Sequence, residues 1–262
     1  MANNMVKELL VFFKDEPIVG GYLNGFYLLI VGFLMIELKK KNFLLISLIL
    51  ILFILAILLT GERSNTIKAF LGLSFFILLI DKINLKKKIV LLSATIILVF
   101  LLISNYHYLK IRFNKQIQTY FMKDSVYLLN YKSGFKVFKN NKILGVGNKN
   151  YRVEACKPEN VNLYRCQTHP HQVYLELLSE HGILGTSVIL FILYKLIFSK
   201  VWTTIKEDNY IRLGTLIYMV LVFTPLLPSG AFFNNYMLTI FCLNLSIFYA
   251  LDKKSNIFRD KY

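Results

Sequence analysis

An all-α, polytopic membrane bundle is the fold class this sequence predicts, and three observations predict it. The apolar residues come in blocks rather than in a repeating stripe. They are abundant: of 262 residues 56% are hydrophobic, and the mean hydropathy is +0.53. Between the blocks, lysines crowd into alternate connections. A run of roughly 18 or more mostly apolar residues crosses about 30 Å of hydrocarbon as a helix. A closed barrel would need shorter, alternating segments, and the sequence has none.

Taken in order, residues 1–21 are mixed and carry Lys7, Glu8, Lys14, Asp15 and Glu16. They lack the basic start, apolar core and small-residue cleavage site of a signal peptide. The first span covers about 22–37 and is closed by Lys39, Lys40 and Lys41. The second and third, about 43–60 and 66–80, are joined by a turn whose cation is Arg63. Lys82, Lys86, Lys87 and Lys88 follow, then a fourth span at about 89–104. After the polar stretch 105–182 come spans at about 183–199, 211–227 and 232–250. Lys200, Lys206 and Arg212 follow the fifth, and Lys253, Lys254, Arg259 and Lys261 the seventh. No Lys or Arg separates the sixth from the seventh.

Cytoplasmic loops gather Lys and Arg, so this alternation sets the orientation. The C-terminus is expected in the cytoplasm. Residues 1–21, 60–65, 105–182 and 227–235 are expected outside. The chain then reads as a four-span part at 1–104, a large outer loop at 105–182 and a three-span part at 183–262. Seven spans from an outside start, without a signal, is an awkward arrangement that further spans upstream would explain, a shortened member of its fold being the alternative.

The net charge is 31 − 15 = +16. Loop lysines account for most of it, and no nucleic-acid motif accompanies it, so nucleic acid is not expected as a partner. Of the three cysteines, Cys242 lies in an apolar block and reads as an inert core residue. Cys156 and Cys166 share the outer loop. They form a disulfide if that loop meets an oxidising compartment, and two free thiols is the equal alternative.

That outer loop is too long for a simple connection and is expected to form a small helical cap. It holds a weakly amphipathic stretch at 126–139, then LGVGNKNY at 144–151. Gly145 and Gly147 indicate a tight turn or a close backbone approach, a stronger reading than a phosphate cradle. The loop ends in QTHPHQVYLELLSEHGILG, Gln167–Gly185. Pro170 marks a helix start, Val173, Leu175, Leu177 and Leu178 give an apolar side, and Gly182 and Gly185 mark the stop.

Arg63 lies in TGERSN, where two apolar spans meet. A guanidinium there is costly unless it is paired or lines a wet cavity. Its planar fork suits phosphate oxygens. The plainer alternative is an interfacial arginine that snorkels or pairs with Glu62. A histidine at neutral pH can act as a general base, which singles out His171, with His169 an equal competitor. A structural hydrogen bond at the helix start is the plainer role. His181 reads as a helix-end cation. His107, His169, His171, Cys156 and Cys166 fit no zinc spacing, so no metal or other cofactor is expected. There is no nucleotide loop and no Gly-x-Ser-x-Gly elbow, so any group-transfer energy must arrive with the substrate.

With those residues in view, the chain resembles the O-antigen ligase and O-antigen polymerase superfamily. TGERSNTIKAFL looks like the family's Thr-Gly-x-Arg-Ser stretch opening a membrane helix. ILGVGNKNY looks like its Gly-x-Gly turn in the periplasmic loop. His171-Gln172, then VYLELLSEH, then Gly182 is similar to the ligase pattern of His, a small amide or hydroxyl residue, nine residues and Gly. DEPIVGGYL resembles the lead-in to a family span. The likeness covers about residues 12–200. Two departures stand out: members usually have more spans, and ligases often carry a hydroxyl residue where this chain has Gly185.

The resemblance implies a metal-independent glycosyltransferase of the bacterial inner membrane, multi-pass, with its active face periplasmic. Its donor would be an undecaprenyl-pyrophosphate-linked glycan. Its acceptor would be lipid A core, giving lipopolysaccharide, or another lipid-linked repeat, giving a longer polysaccharide. Arg63 would bind the diphosphate, aided by Arg152 and Arg165. His171 would accept the acceptor's proton. Gly145, Gly147 and Gln172 would help bind substrate. A membrane transporter or lipid flippase is the rival class, and it would place ionisable or helix-breaking residues mid-span. An inactive fragment is the third possibility.

Overall fold

The computed structural model describes residues 18–37, 43–80, 83–115, 125–160, 165–225 and 227–252. Among them every regular element is helical, and no strand occurs. Most of the lysines that set the orientation (39–41, 82, 253, 254 and 261, with Arg259) lie outside the described residues. In chain order the helices are α1 (Val19–Glu37), α2 (Phe43–Leu59), α3 (Arg63–Leu79), α4 (Leu85–Asn105) and α5 (His107–Lys110). Then come α6 (Val126–Asn140), α7 (Tyr151–Ala155), α8 (Val173–Leu196), α9 (Val201–Ile205), α10 (Tyr210–Val222) and α11 (Asn235–Ala250).

Among the described residues three helices are long and apolar enough to cross a membrane: Val19–Glu37, Leu85–Asn105 and Val173–Ile205. Leu44–Leu59, Tyr210–Val222 and Asn235–Ala250 are apolar but shorter. The described residues are therefore all-helical, with helices suited to crossing a membrane, and those helices begin and end away from several of the expected limits. The block expected at 211–227 stops at Val222. Pro225 and Pro228 follow, and proline has no N–H to continue a helix.

The chain forms two compact units. The first contains residues 1–116, 201–221 and 240–262. Leu28, Val31, Leu50, Ile54, Leu73 and Phe76 are at most 2% exposed and build its core. Glycines let backbones meet there, as small residues do between membrane helices. A Cβ on Gly32 would lie 2.4 Å from the Tyr210 carbonyl oxygen, and one on Gly214 2.3 Å from that of Leu28. Asn244 donates from Nδ2 to the Gly25 carbonyl at 3.0 Å. Arg212 is 1% exposed. It pairs with Glu207 and, at 3.4 Å, with Asp252, and it stacks over Phe248. A buried guanidinium without such partners would be strongly destabilising.

The second unit contains residues 117–200 and 222–239. Ser125 caps α6 by accepting from the Leu128 N–H. The buried side of α6 is Asn130, Ser133, Gly134 and Val137, small enough for close packing. Cys156 and Cys166 are bonded to each other, Cα atoms 4.5 Å apart, which decides between the two expectations for this pair. Cys242, expected in a core, is instead exposed on α11.

Candidate functional site

The residues singled out by sequence fall into two local arrangements, one in each unit. In the first, Gly61 takes a positive φ of 72° between α2 and α3. A Cβ there would lie 2.4 Å from the Tyr108 hydroxyl oxygen. That hydroxyl donates to the Thr60 carbonyl at 3.3 Å. Arg63 opens α3 and is partly buried. Glu62 accepts from the Gly20 N–H at 2.6 Å and from Asn65 Nδ2 at 2.6 Å. Asn24 Nδ2 in turn donates to the Asn65 carbonyl at 2.8 Å. Burial pushes the Glu62 carboxyl above the usual carboxylate range, against those hydrogen bonds and the nearby charge of Arg112. The turn before α3 is thus fixed by side chains from α1 and from the segment after α4. Arg63 projects from a held backbone.

In the second unit, the histidine segment lies outside any helix. His171 has φ 57°, the left-handed region that non-glycine residues rarely adopt. The helix expected from Pro170 therefore starts only at Val173, because His171 cannot be helical. Pro170 instead packs on Gly134 of α6, where a Cβ would lie 2.7 Å from the proline's own. The His171 carbonyl accepts from the Ser229 N–H at 2.9 Å. Gln172 caps α8, its Oε1 accepting from the Leu175 N–H at 2.7 Å. That role occupies the side-chain oxygen of a residue expected to touch substrate.

The two histidine rings stand 4.1 Å apart, and Tyr127 meets His171 edge-on at 6.2 Å. His169 Nδ1 lies 2.9 Å from the Thr168 hydroxyl. Burial, with His171 beside it, pushes His169 down to about 4. Burial and then the Arg165 charge also hold His171 below the usual histidine value of 6.5. Both imidazoles are therefore neutral at neutral pH, the form able to accept a proton. Arg165 is held by its own N–H to the Ser133 hydroxyl at 3.2 Å. Arg152 is exposed on α7.

Gly145 and Gly147 sit at the other end of the His helix. Gly147 N–H donates to the Glu180 carbonyl at 2.8 Å, Val146 N–H to that of Ser179 at 3.0 Å, and Gly145 N–H to that of Asn141 at 3.0 Å. Lys149 N–H donates to Glu180 Oε2 at 2.9 Å. These amides are spent inside the chain, so the glycines give close backbone approach rather than an open cradle. The expected stop at Gly182 is a kink with φ 61° and ψ −168°, after which the helix resumes. Gly185 lies within the resumed helix, against His181.

Of the apolar side expected for the first half of α8, Val173 and Leu177 are buried, whereas Leu175 and Leu178 are only partly so. Glu176, Ser179 and Glu180 complete the buried set. Glu176, 2% exposed, accepts the Phe232 N–H on both carboxylate oxygens at 3.0 Å. It thereby ties the stretch that carries Ser229 to the helix that follows His171. Tyr174 adds a donor to the Phe223 carbonyl at 2.7 Å, and Phe233 packs on His181. The signal was present: glutamates at 176 and 180, four apart, lie on one helical side with Val173 and Leu177. Among the described residues no three His, Cys, Asp or Glu side chains gather as a metal site.

Residues 48–192, more than half of the chain, match the family described as O-Antigen ligase. No curated protein and no solved structure matches the chain.

Proposed function

Because this chain belongs to the O-antigen ligase family, we propose that it transfers a glycan from an undecaprenyl-pyrophosphate carrier to an acceptor hydroxyl at the periplasmic face. The observation that carries the proposal is His171. It lies within the family match, neutral, on a left-handed backbone that both Ser229 and the Gln172-capped helix hold in place. A side chain held in a costly conformation needs surroundings that repay it, and such residues cluster at functional sites.

The step balances without another reactant. The acceptor oxygen attacks the anomeric carbon and gives its proton to the His171 imidazole. The bond from that carbon to the phosphate oxygen breaks, and its electron pair leaves with the lipid diphosphate. Arg63 binds that diphosphate and offsets the charge that develops on it. Arg165, whose charge reaches His171, is the nearer helper, and Arg152 the outer one. Glu62, tied to Gly20 and Asn65, fixes the backbone from which Arg63 extends.

One observation favours a polymerase over a ligase. A side chain at Gly185 would meet the His181 Cβ at 2.7 Å, so the hydroxyl residue of many ligases has no room there. The acceptor in that reading is a second lipid-linked repeat rather than lipid A core.

Purified protein in lipid nanodiscs, given a lipid-linked donor and each acceptor in turn, tests the proposal. One acceptor should be elongated, and free lipid diphosphate should appear in equal amount. The rate should fall on acidification, with its inflection below the ordinary histidine value of 6.5, because protonating His171 at its lowered pKa removes the base. No product with either acceptor, or a rate that rises on acidification, would remove the proposal.

A further inference from the structure

The tip between α6 and α7 carries a feature that glycan transfer does not use. Its backbone is fastened where α8 restarts after Gly182. Ile183 N–H donates to the Lys142 carbonyl at 2.8 Å and Leu184 N–H to the Ile143 carbonyl at 3.2 Å. A Cβ on Gly182 would lie 2.3 Å from the Ile143 carbonyl oxygen, so only glycine admits this approach.

The side chains of the tip point away from the protein. Ile143 is 65% exposed and Leu144 72%. The residues bonded to their backbone are also exposed, Ile183 at 50% and Leu184 at 57%. The exposed apolar surface then continues along α8 through Val188 and Phe191. Spacings of three and four put Leu184, Val188 and Phe191 on one side of a helix. This half of α8 belongs to a helix long and apolar enough to cross a membrane. Its outward side chains therefore meet lipid, and Ile143 and Leu144 extend that same surface. Lys142 is exposed beside them, suited to reach headgroup phosphates while its stem lies along apolar surface.

We propose that the Ile143–Leu144 tip dips into the bilayer leaflet that α8 enters at Gly182, anchoring the segment between α6 and α7 at the membrane surface. The occupant of this patch is lipid, because the patch is continuous with a membrane-crossing face. The inference needs no particular reaction and survives if the transfer proposal fails. An anchored tip would hold the far end of the His helix at a fixed depth, the level at which a lipid diphosphate would lie.

The test uses the full chain in phosphatidylcholine nanodiscs with Cys242→Ser, leaving the Cys156–Cys166 bond intact. An environment-sensitive fluorophore is placed on Leu144→Cys and, for comparison, on exposed Asn148→Cys. Emission at 144 should shift to the blue and be quenched several-fold more strongly by lipids spin-labelled high on the acyl chain. Water-like emission at 144, or a blue shift that those lipids do not quench, overturns the proposal; the second result would mean a protein surface. If the labelled variant fails to insert, Ile143→Trp with Trp202→Phe gives a sole tryptophan, since the chain has one. Brominated lipids should quench it, and no quenching is equally fatal.

Discussion

Replacing Arg63 or His171 by alanine should lower glycan transfer by at least about 10²-fold each, with membrane insertion unchanged. Losing one preorganised partner of developing charge costs about 10²–10³ in rate, and losing a general base about 10²–10⁴. Arg63→Lys should recover part of the loss, because it keeps the charge but not the planar fork that meets two phosphate oxygens. His171 needs a different control. At φ 57° an alanine pays about 1–2 kcal/mol for the left-handed backbone. A loss in His171→Ala could then be read as local unfolding. Asparagine tolerates that conformation better, and glycine adopts it freely. His171→Asn and His171→Gly should therefore fold like the parent and still fail to transfer. Activity in either variant would show that position 171 serves the backbone rather than the chemistry. Rates with a lipid-linked donor, alongside thermal unfolding of each variant, check both parts.

Gly182→Ala should be the most damaging single change to the second unit. Its φ of 61° with ψ −168° is a region essentially reserved for glycine, costing other residues about 1–3 kcal/mol. A Cβ would also stand 2.3 Å from the Ile143 carbonyl oxygen, which is backbone and cannot swing aside. Two of the hydrogen bonds that fasten the tip, at Ile183 and Leu184, flank this site. The expected result is a lower melting temperature and rapid proteolysis between residues 125 and 160, with the membrane helices retained. Gly230→Ala is the comparison. Its nearest neighbour is the Tyr236 hydroxyl at 3.0 Å, the end of a side chain. Equal stability of Gly182→Ala and the parent would remove the account of the kink.

The membrane helices were legible because their signal is bulk composition. A stretch such as FLLISLILILFILAILL allows only a buried or lipid-covered helix, and the structure has one at Phe43–Leu59. What was not legible was where the chain bends between helices. Pro170 reads as a helix start, since its fixed φ suits a first turn. Its packing on Gly134, distant in sequence, and the left-handed His171 move the start to Val173. The Gly-x-Gly turn at 145–147 was legible as a close approach, but its partner was not. The residues it meets, Ser179 and Glu180, are more than thirty positions away. Glu176 was overlooked for a related reason. In sequence a glutamate counts as solvent-facing, and only the partner amide of Phe232 makes its burial affordable. Local pattern thus recovers helices, and long-range polar contacts decide their ends.

We propose that Arg63 and His171 act on the same donor molecule. Paired cysteines at these two positions, in a Cys242→Ser background and in a native-like membrane, test it most directly. Each single cysteine should react with a membrane-impermeant maleimide from the periplasmic side, and a lipid-linked donor should protect both. In the double variant a short bifunctional maleimide should join the two positions within one chain. Labelling from opposite sides of the bilayer, or a failure to join two positions that each react fully, would contradict the account.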